Sequence, residues 1–267
     1  VEVLINTGVF RDKNISEPAI ASFIQRDIGA NPSCGEPGDP STFSFDLANG
    51  CCGFLNGIEI VSGFLHSGRA GCGMVVTSDV DPTPRGSRGL SFAPTGAALV
   101  LAPGSPDRGF AEFHHESFPK HSQLLRSRIL WIGDEVSRWS RLKHAVVGDE
   151  DPGFLEACVD SSDKAMERYL GRLGMALADV DLVIPSQFPA DFPRALRERT
   201  GAEERVVDAT AEFGAAYTAG LPTALHAAVA SGSWERAETV LFVAVGAGIH
   251  VMLALYRREP GAERLRA

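Results

Sequence analysis

Phe45-Asp46-Leu47-Ala48-Asn49-Gly50-Cys51-Cys52-Gly53-Phe54 is the stretch that decides the fold. A short apolar strand runs into a Gly-Cys-Cys-Gly corner, and an amphipathic helix starts at once. Phe54, Ile58, Val61 and Leu65 recur at spacings of three and four and make one apolar face. The spacing predicts a helix over 52–66, which puts Cys51 at a strand-to-helix elbow on the positive end of that helix. There the dipole and the free N–H groups favour thiolate, drawing a thiol pKa from ~8.5 to roughly 3.5–7.5. A cysteine nucleophile belongs in such a place. The same residues also fit two small buried side chains at a tight turn, since unpaired cysteine is commonly buried.

The 267 residues are 44% hydrophobic and 22% charged, which describes a soluble globular chain of one large domain or two fused lobes. A net charge of −9 without long like-charge runs argues against nucleic acid as a partner. No apolar stretch approaches the length of a membrane span, and no basic leader opens the chain, so membrane insertion and secretion are not expected. The five cysteines (Cys34, Cys51, Cys52, Cys72 and Cys158) form an odd set without CxxC pairs. That pattern argues against a disulfide framework and a tetrahedral zinc site, and a reducing cytoplasm is the better reading. The side chain of Cys52 is expected to turn away from Cys51 into the helix.

Outward from the elbow, a pattern occurs twice. A helix, the pair Ser67-Gly68, and the strand Met74–Thr77 in the first copy match Leu221–Ala230, Ser231-Gly232 and Thr239–Val245 in the second. Upstream, the strand Val3–Ile5 with the helix Ala19–Ile28 matches Asp181–Ile184 with Asp191–Arg199. Such alternation predicts parallel βαβ units with helices covering the sheets. A long helix over Gly153–Leu173 precedes the second copy and has no counterpart in the first, so by symmetry an opening strand and one or two helices are expected to be absent at the front, as in a fragment or in a variant that lost them. Ala97–Leu101 and Gly109–His115 are expected strands, Asn31–Ser41 and Asp81–Gly89 are loops by composition, and 116–150 resists assignment. The expected organisation is an N-terminal half over 1–115, truncated at its start, a connecting segment over 116–149, and a C-terminal half over 150–267.

Two halves with a cysteine elbow in the first resemble the thiolase superfamily, and within it β-ketoacyl-acyl carrier protein synthase III. Phe45–Phe54 is similar to that family's Phe-Asp-(Val/Leu)-x-x-x-Cys-Ser-Gly-Phe, which puts the acyl-accepting cysteine on Cys51. Met74–Asp79, Phe92–Leu101 and Val245–Leu253 resemble its Leu-Val-Val-Gly-Ser-Asp strand, its Phe-Gly-Asp-Gly-Ala-Gly-Ala hairpin and its terminal Gly-x-Gly loop with final strand. The resemblance implies a five-layer αβαβα fold with two pseudo-symmetric halves. It also implies an acyl-coenzyme A or acyl carrier protein thioester as substrate, with no permanently bound cofactor. The family's extra residues at the front include groups that hold coenzyme A.

The departures are as informative. The family's Pro-His-Gln-Ala-Asn-x-Arg aligns with Pro185–Asp191, so its catalytic His falls on Ser186 and its carrier-docking Arg on Asp191. Its Tyr-Gly-Asn-Thr aligns with Phe213–Ala216, placing its catalytic Asn on Ala215. Gly246-Ala247-Gly248 is by itself a tight turn between strands; the resemblance implies that the Ala247 N–H joins the Cys51 N–H as an oxyanion hole. His250 is a candidate substitute base, against a structural role on the last strand. His114 and His115 point to opposite faces of a strand, while His66, His121, His144 and His226 have no partner pattern. Asp191, Arg194, Arg197, Glu198 and Arg199 form a solvated helix face.

These residues lead to a cysteine-dependent acyltransferase that resembles synthase III and is weakened in condensation. The alternative is a subunit that pairs with a complete homologue. A distant third is a hydrolase of activated esters. A homodimer is expected across the apolar strand Met74–Asp79.

Overall fold

In chain order the elements are β1 (Val3–Asn6), α1 (Ile20–Asp27), β2 (Phe43–Asp46), α2 (Gly53–His66), β3 (Gly73–Asp79), β4 (Thr95–Leu101) and β5 (Gly109–Ser117). Then come β6 (Leu125–Ile132), β7 (Lys143–Glu150), α3 (Phe154–Arg172), β8 (Leu182–Pro185), α4 (Phe192–Thr200) and α5 (Thr210–Phe213). The last elements are α6 (Gly220–Ala230), α7 (Ser233–Arg236), β9 (Thr239–Gly246) and β10 (His250–Arg257). The structure, a computed structural model, describes residues 1–31, 40–82, 88–89, 92–105, 108–132 and 143–258. Cys34 and most of the two expected loops therefore lie outside the described residues.

Two mixed sheets carry the fold, with strand orders β2-β1-β3-β4 and β5-β10-β9-β8. In the first, β1 runs parallel to β3 and β4 returns antiparallel; in the second, β8 runs parallel to β9 and β10 returns antiparallel. The internal repeat thus extends to strand pairing. It also extends to helix ends: Gly68 and Gly232 follow α2 and α6 with φ of 68° and 71°, a left-handed backbone that glycine adopts without a Cβ penalty.

The layers follow from the contacts. Helix α1 covers the outer face of the first sheet, α2 and α6 fill the space between sheets, and α3 with α4 cover the outer face of the second. This is the expected αβαβα arrangement. Helix α2 buries Phe54, Leu55, Ile58 and Val61, and Gly57 lets it approach closely, since a Cβ there would stand 2.8 Å from Val75 Cγ1. Two buried cores result. One lies between the sheets and holds Val3, Ile5, Phe54, Ile184, Phe242 and Met252. The other lies between the second sheet and α3, and holds Phe154, Tyr169, Phe192, Val251 and Leu253.

Three expectations change. The segment 116–150 is not irregular where described, because β6 and β7 pair antiparallel over eight residues each. Strand β5, assigned from sequence mostly to the first half, pairs with β10 and belongs to the second sheet. Strand β3 cannot form a subunit edge, because β1 and β4 hydrogen-bond to its two sides. Among the described residues the free sides of that sheet belong to β2 and β4.

Candidate functional site

The elbow is held from below by Asp46 at the end of β2. Its carboxylate accepts the Ile20 and Ala21 N–H groups, 2.9 Å each, at the open start of α1, and the Asn6 amide at 3.1 Å. Arg11 pairs with it at 2.9 Å. Gly50–Cys52 then forms a 3-10 turn before α2 begins at Gly53, one residue later than the periodicity predicts.

The two thiols part as expected. Cys52 enters the core between the sheets and donates weakly to the His250 carbonyl at 3.5 Å, while Cys51 enters the core under α3, with Cys158. The charge state of Cys51 is the reverse of the expectation. Cys51 is 2% exposed, and burial pushes its thiol well above the ordinary value; Cys52, Asp79 and Cys158 push it the same way, and only its own backbone N–H opposes them. Burial also raises Cys52, to about 12. A thiol in a dry core with a carboxylate nearby stays protonated at neutral pH, and one helix end does not overcome that.

The Gly-x-Gly turn meets the elbow. A Cβ on Gly246 would stand 3.6 Å from the Cys51 amide nitrogen and 3.6 Å from Cys52 Sγ. Ala247 follows, partly buried against the Cys51 core. Ser186 is fully buried just beyond β8, but its Oγ accepts the Val245 N–H at 3.1 Å, bracing β8 against β9. Ala215 offers a methyl group to the Cys51 core and accepts the Ala93 N–H at 3.0 Å through its carbonyl. His250 hydrogen-bonds within the second sheet. Its Nδ1 hydrogen-bonds Ser117 Oγ at 2.9 Å, and on β10 it shares the face of Met252 and Ala254, which packs in the other core with Cys52. The ring of the candidate substitute base lies against Gly248, where a Cβ would stand 2.5 Å from His250 Cδ2, and its hydrogen-bond partner is Ser117.

The remaining expectations fall to either side. His114 stacks on Tyr169 while His115 pairs with Glu59 of α2 at 2.8 Å, so the two do face opposite ways. Arg194 bridges Asp191 and Glu198 on an exposed face. Arg197, however, bonds the Val206 carbonyl, and Arg199 pairs with Asp160. His66 hydrogen-bonds the Ser62 carbonyl and His226 packs on Phe213. No group of three metal-binding side chains occurs among the described residues, and no described helix is long and apolar enough to cross a membrane.

Sequence reasoning missed what surrounds Cys51. Tyr217 lies with its hydroxyl 3.1 Å from where a Gly50 Cβ would be, and it contacts Phe10, Phe92 and Phe188 at ring-centroid distances of 5.3, 6.1 and 5.0 Å. Phe10 stacks on Phe92 at 4.8 Å, and Phe154 extends the cluster beyond Phe188. Phe188 was visible in the sequence, standing where the synthase III motif has Ala. Tyr217 and Phe10 carried no such signal. A surface cleft of about 420 Å³ between Phe118, Lys120, Leu124, Ala157, Ser161 and Lys164 contains none of the candidate residues.

Residues 170–258 match the family described as 3-oxoacyl-[acyl-carrier-protein (ACP)] synthase III C terminal. β-Ketoacyl-[acyl-carrier-protein] synthase III of Caulobacter vibrioides is 26% identical over 248 residues, covering 88% of this chain and 71% of its own. Over most of its length the chain is similar to β-ketoacyl-[acyl-carrier-protein] synthase III proteins, and its last third matches their C-terminal family. The structure of the Thermus thermophilus synthase III superposes with a TM-score of 0.74 at 22% identity, covering 97% of this chain and 78% of that one. OleA of Xanthomonas campestris, solved with bound lauric acid and lauroyl-CoA, gives 0.74 at 20% identity, covering 97% and 76%. The family match takes in Ser186, Ala215, Ala247 and His250, whereas Cys51 lies outside it.

Proposed function

We propose that the protein is a synthase III-type acyltransferase in which Cys51 accepts an acyl group from a coenzyme A or acyl carrier protein thioester, in fatty acid or polyketide-type biosynthesis. The thiol loses its proton, the sulfur attacks the thioester carbonyl, and the donor thiol leaves and takes up a proton. The observation that carries this reading is the apposition of the Cys51 turn and the Gly246-Ala247-Gly248 turn. It supports a pair of backbone donors, the N–H groups of Cys51 and Ala247, for the oxyanion, and backbone donors survive side-chain substitution. Ser186 and Ala215 supply neither a base nor a second pair of donors, which favours acyl exchange over condensation. No permanent cofactor is required, and the four free described cysteines suit a reducing cytoplasm.

Incubation with acyl-coenzyme A of several chain lengths, followed by peptide mass mapping, tests the proposal. Acyl mass on the Cys51 peptide, lost in Cys51→Ala, is the expected result. Label confined to other cysteines, or unchanged in Cys51→Ala, would overturn it.

The closed, protonated state of Cys51 favours a second reading, a catalytically weakened subunit that partners a complete homologue. On that reading the chain alone takes no acyl group, and mixing it with an intact homologue yields a heterodimer by light scattering. A homodimer, if it forms by edge pairing, uses β2 or β4. Phe43 on β2 is 57% exposed and touches Phe45 and Phe64.

A further inference from the structure

Asp79 ends β3 and is 4% exposed, yet no cation pairs with it among the described contacts. It is satisfied by neutral donors from two distant parts of the chain. Oδ1 accepts the Val9 and Phe10 N–H groups at 3.0 and 2.8 Å; Oδ2 accepts the Thr218 N–H at 2.9 Å and the Thr218 hydroxyl. Thr77 Oγ1 also hydrogen-bonds Thr218 Oγ1. Each clasped segment carries a ring of the cluster over Cys51: Phe10 on one side, and Tyr217, adjacent to Thr218, on the other. Neither segment has regular secondary structure of its own at these residues, and apart from the Val80 N–H to the Phe10 carbonyl and the Gly220 N–H to the Tyr217 carbonyl, the carboxylate is what ties the two to one point. A buried carboxylate that accepts four donors holds its partners strongly, because removing an acceptor leaves buried N–H groups unpaired.

We infer that Asp79 is a positioning residue that clasps the β1–α1 loop to the Tyr217–Thr218 segment and so keeps an aromatic cover of Phe10, Phe92, Tyr217 and Phe188 closed over Cys51. The cover is the control point of the thiol: the site opens when the clasp loosens and the two segments part. The inference rests on Cys51 being the working thiol of the proposed function. Its test uses no acyl donor, so failure of acylation and failure of the clasp are told apart.

The ionisable groups that face Cys51 are Asp79 from β3, Cys52 from the start of α2, Cys158 from α3, and Tyr217. Asp79 thus acts on Cys51 in two separable ways, through the clasp and through its charge. In Asp79→Asn the amide N–H groups face either the Val9 and Phe10 N–H groups or the Thr218 N–H, so at least one backbone donor loses its acceptor whichever way the amide lies. Thr218→Val removes the hydroxyl that donates to Asp79, and with it the partner of Thr77 Oγ1, and keeps the charge.

The experiment is iodoacetamide alkylation of the full chain as a function of pH, with Cys51 and Cys72 followed separately by peptide mapping. Asp79→Asn is expected to raise the Cys51 rate at neutral pH by about tenfold or more, the scale of an unpaired buried donor. It is also expected to move the pH midpoint of Cys51 alkylation downward, because a raising charge is gone. Thr218→Val is expected to raise the rate by about threefold, a smaller loss of hydrogen bonding, without moving the midpoint. The half-buried Cys72 should keep its rate in both. A Cys51 rate within twofold of the parent in folded Asp79→Asn, or an unmoved midpoint, overturns the inference. Should Asp79→Asn fail to fold, an unchanged Cys51 rate in Thr218→Val does so.

Discussion

Tyr217→Ala is the substitution that most directly questions the closed state of Cys51. Tyr217 is 8% exposed, meets three other rings, and holds its hydroxyl over Gly50, the neighbour of the thiol. Removing a buried aromatic ring from a core costs about 3–5 kcal/mol through lost transfer energy and the cavity left behind. At about 2–4 °C per kcal/mol for a chain of this size, the melting temperature should fall by roughly 6–20 °C. The cavity would lie directly beside Cys51. If about 3 kcal/mol of cover closure is lost, alkylation of Cys51 should accelerate on the order of 10²-fold, since 1.4 kcal/mol is a factor of ten in an equilibrium. The assay is iodoacetamide modification at pH 7.5 with peptide mapping, Cys72 serving as internal reference. A melting temperature that falls as expected beside a Cys51 rate within twofold of the parent would refute the reasoning: the ring would then support the core without covering the thiol.

A control for general loosening is Tyr169→Phe. The Tyr169 hydroxyl donates to the Glu112 carbonyl at 2.9 Å and accepts the Leu255 N–H at 3.2 Å, so its loss should cost about 1–3 kcal/mol in urea unfolding and leave Cys51 alkylation unchanged. Alkali should destabilise the fold, because burial raises Cys51, Cys52, Cys158, Tyr169 and Tyr217 above their ordinary values. Groups raised in the folded state contribute stability that is complete below their unfolded values and is lost as pH climbs through the folded ones. The melting temperature should therefore hold from pH 7 to about 8.5 and fall beyond about 9, less steeply in Cys158→Ala; a flat profile to pH 10.5 would contradict this. Decarboxylative condensation should be slow: with Ser186 and Ala215 at the His and Asn positions, release of labelled carbon dioxide from malonyl-carrier protein is expected to lag a complete synthase by at least about 10²–10³, the cost of one lost oxyanion donor. Release at a complete enzyme's rate by the chain alone would sink that reading.

Repetition and periodicity made most of the architecture legible. The paired Ser-Gly helix ends and the matching strands appear in the structure within a residue or two, because helix length and left-handed caps are local properties. What failed was non-local. Strand β5 reads as part of the first half by position and joins the second sheet by hydrogen bonding to β10, a choice made between residues more than a hundred apart. Strand β3 reads as an apolar edge, but an apolar run fits an interior strand equally well, and β4 closes it. At the site, the positions of Cys51, Cys52 and the Gly246 turn were legible from motif spacing. The aromatic cover was not, since Phe10, Phe92, Phe188 and Tyr217 come from four separate segments and meet only in the folded chain.

The state of Cys51 shows why a motif alone misleads about chemistry. The dipole of a helix N-terminus contributes by itself about 0.3–1 kcal/mol to a negative charge, up to ~2 in favourable geometry, or about 1.5 pKa units, and the larger reductions open to a thiol there draw on further N–H donors or nearby cations. Full burial moves a pKa by up to 3–5 units in the opposite direction. With Asp79 adding to the burial effect, the balance lies with the protonated thiol for as long as the cover is closed. Opening the cover hydrates the thiol and removes the larger opposing effect, leaving the helix end and the Cys51 N–H to favour thiolate. If Cys51 is the nucleophile of the proposed function, its reactivity follows the cover's opening equilibrium more than any base, and a chain with Ser186 and Ala215 at the aligned His and Asn positions keeps a route to a thiolate. A substitution that opens the cover should raise acylation and alkylation together, whereas a base introduced beside Ser186, fully buried and already bracing β8 to β9, would raise neither.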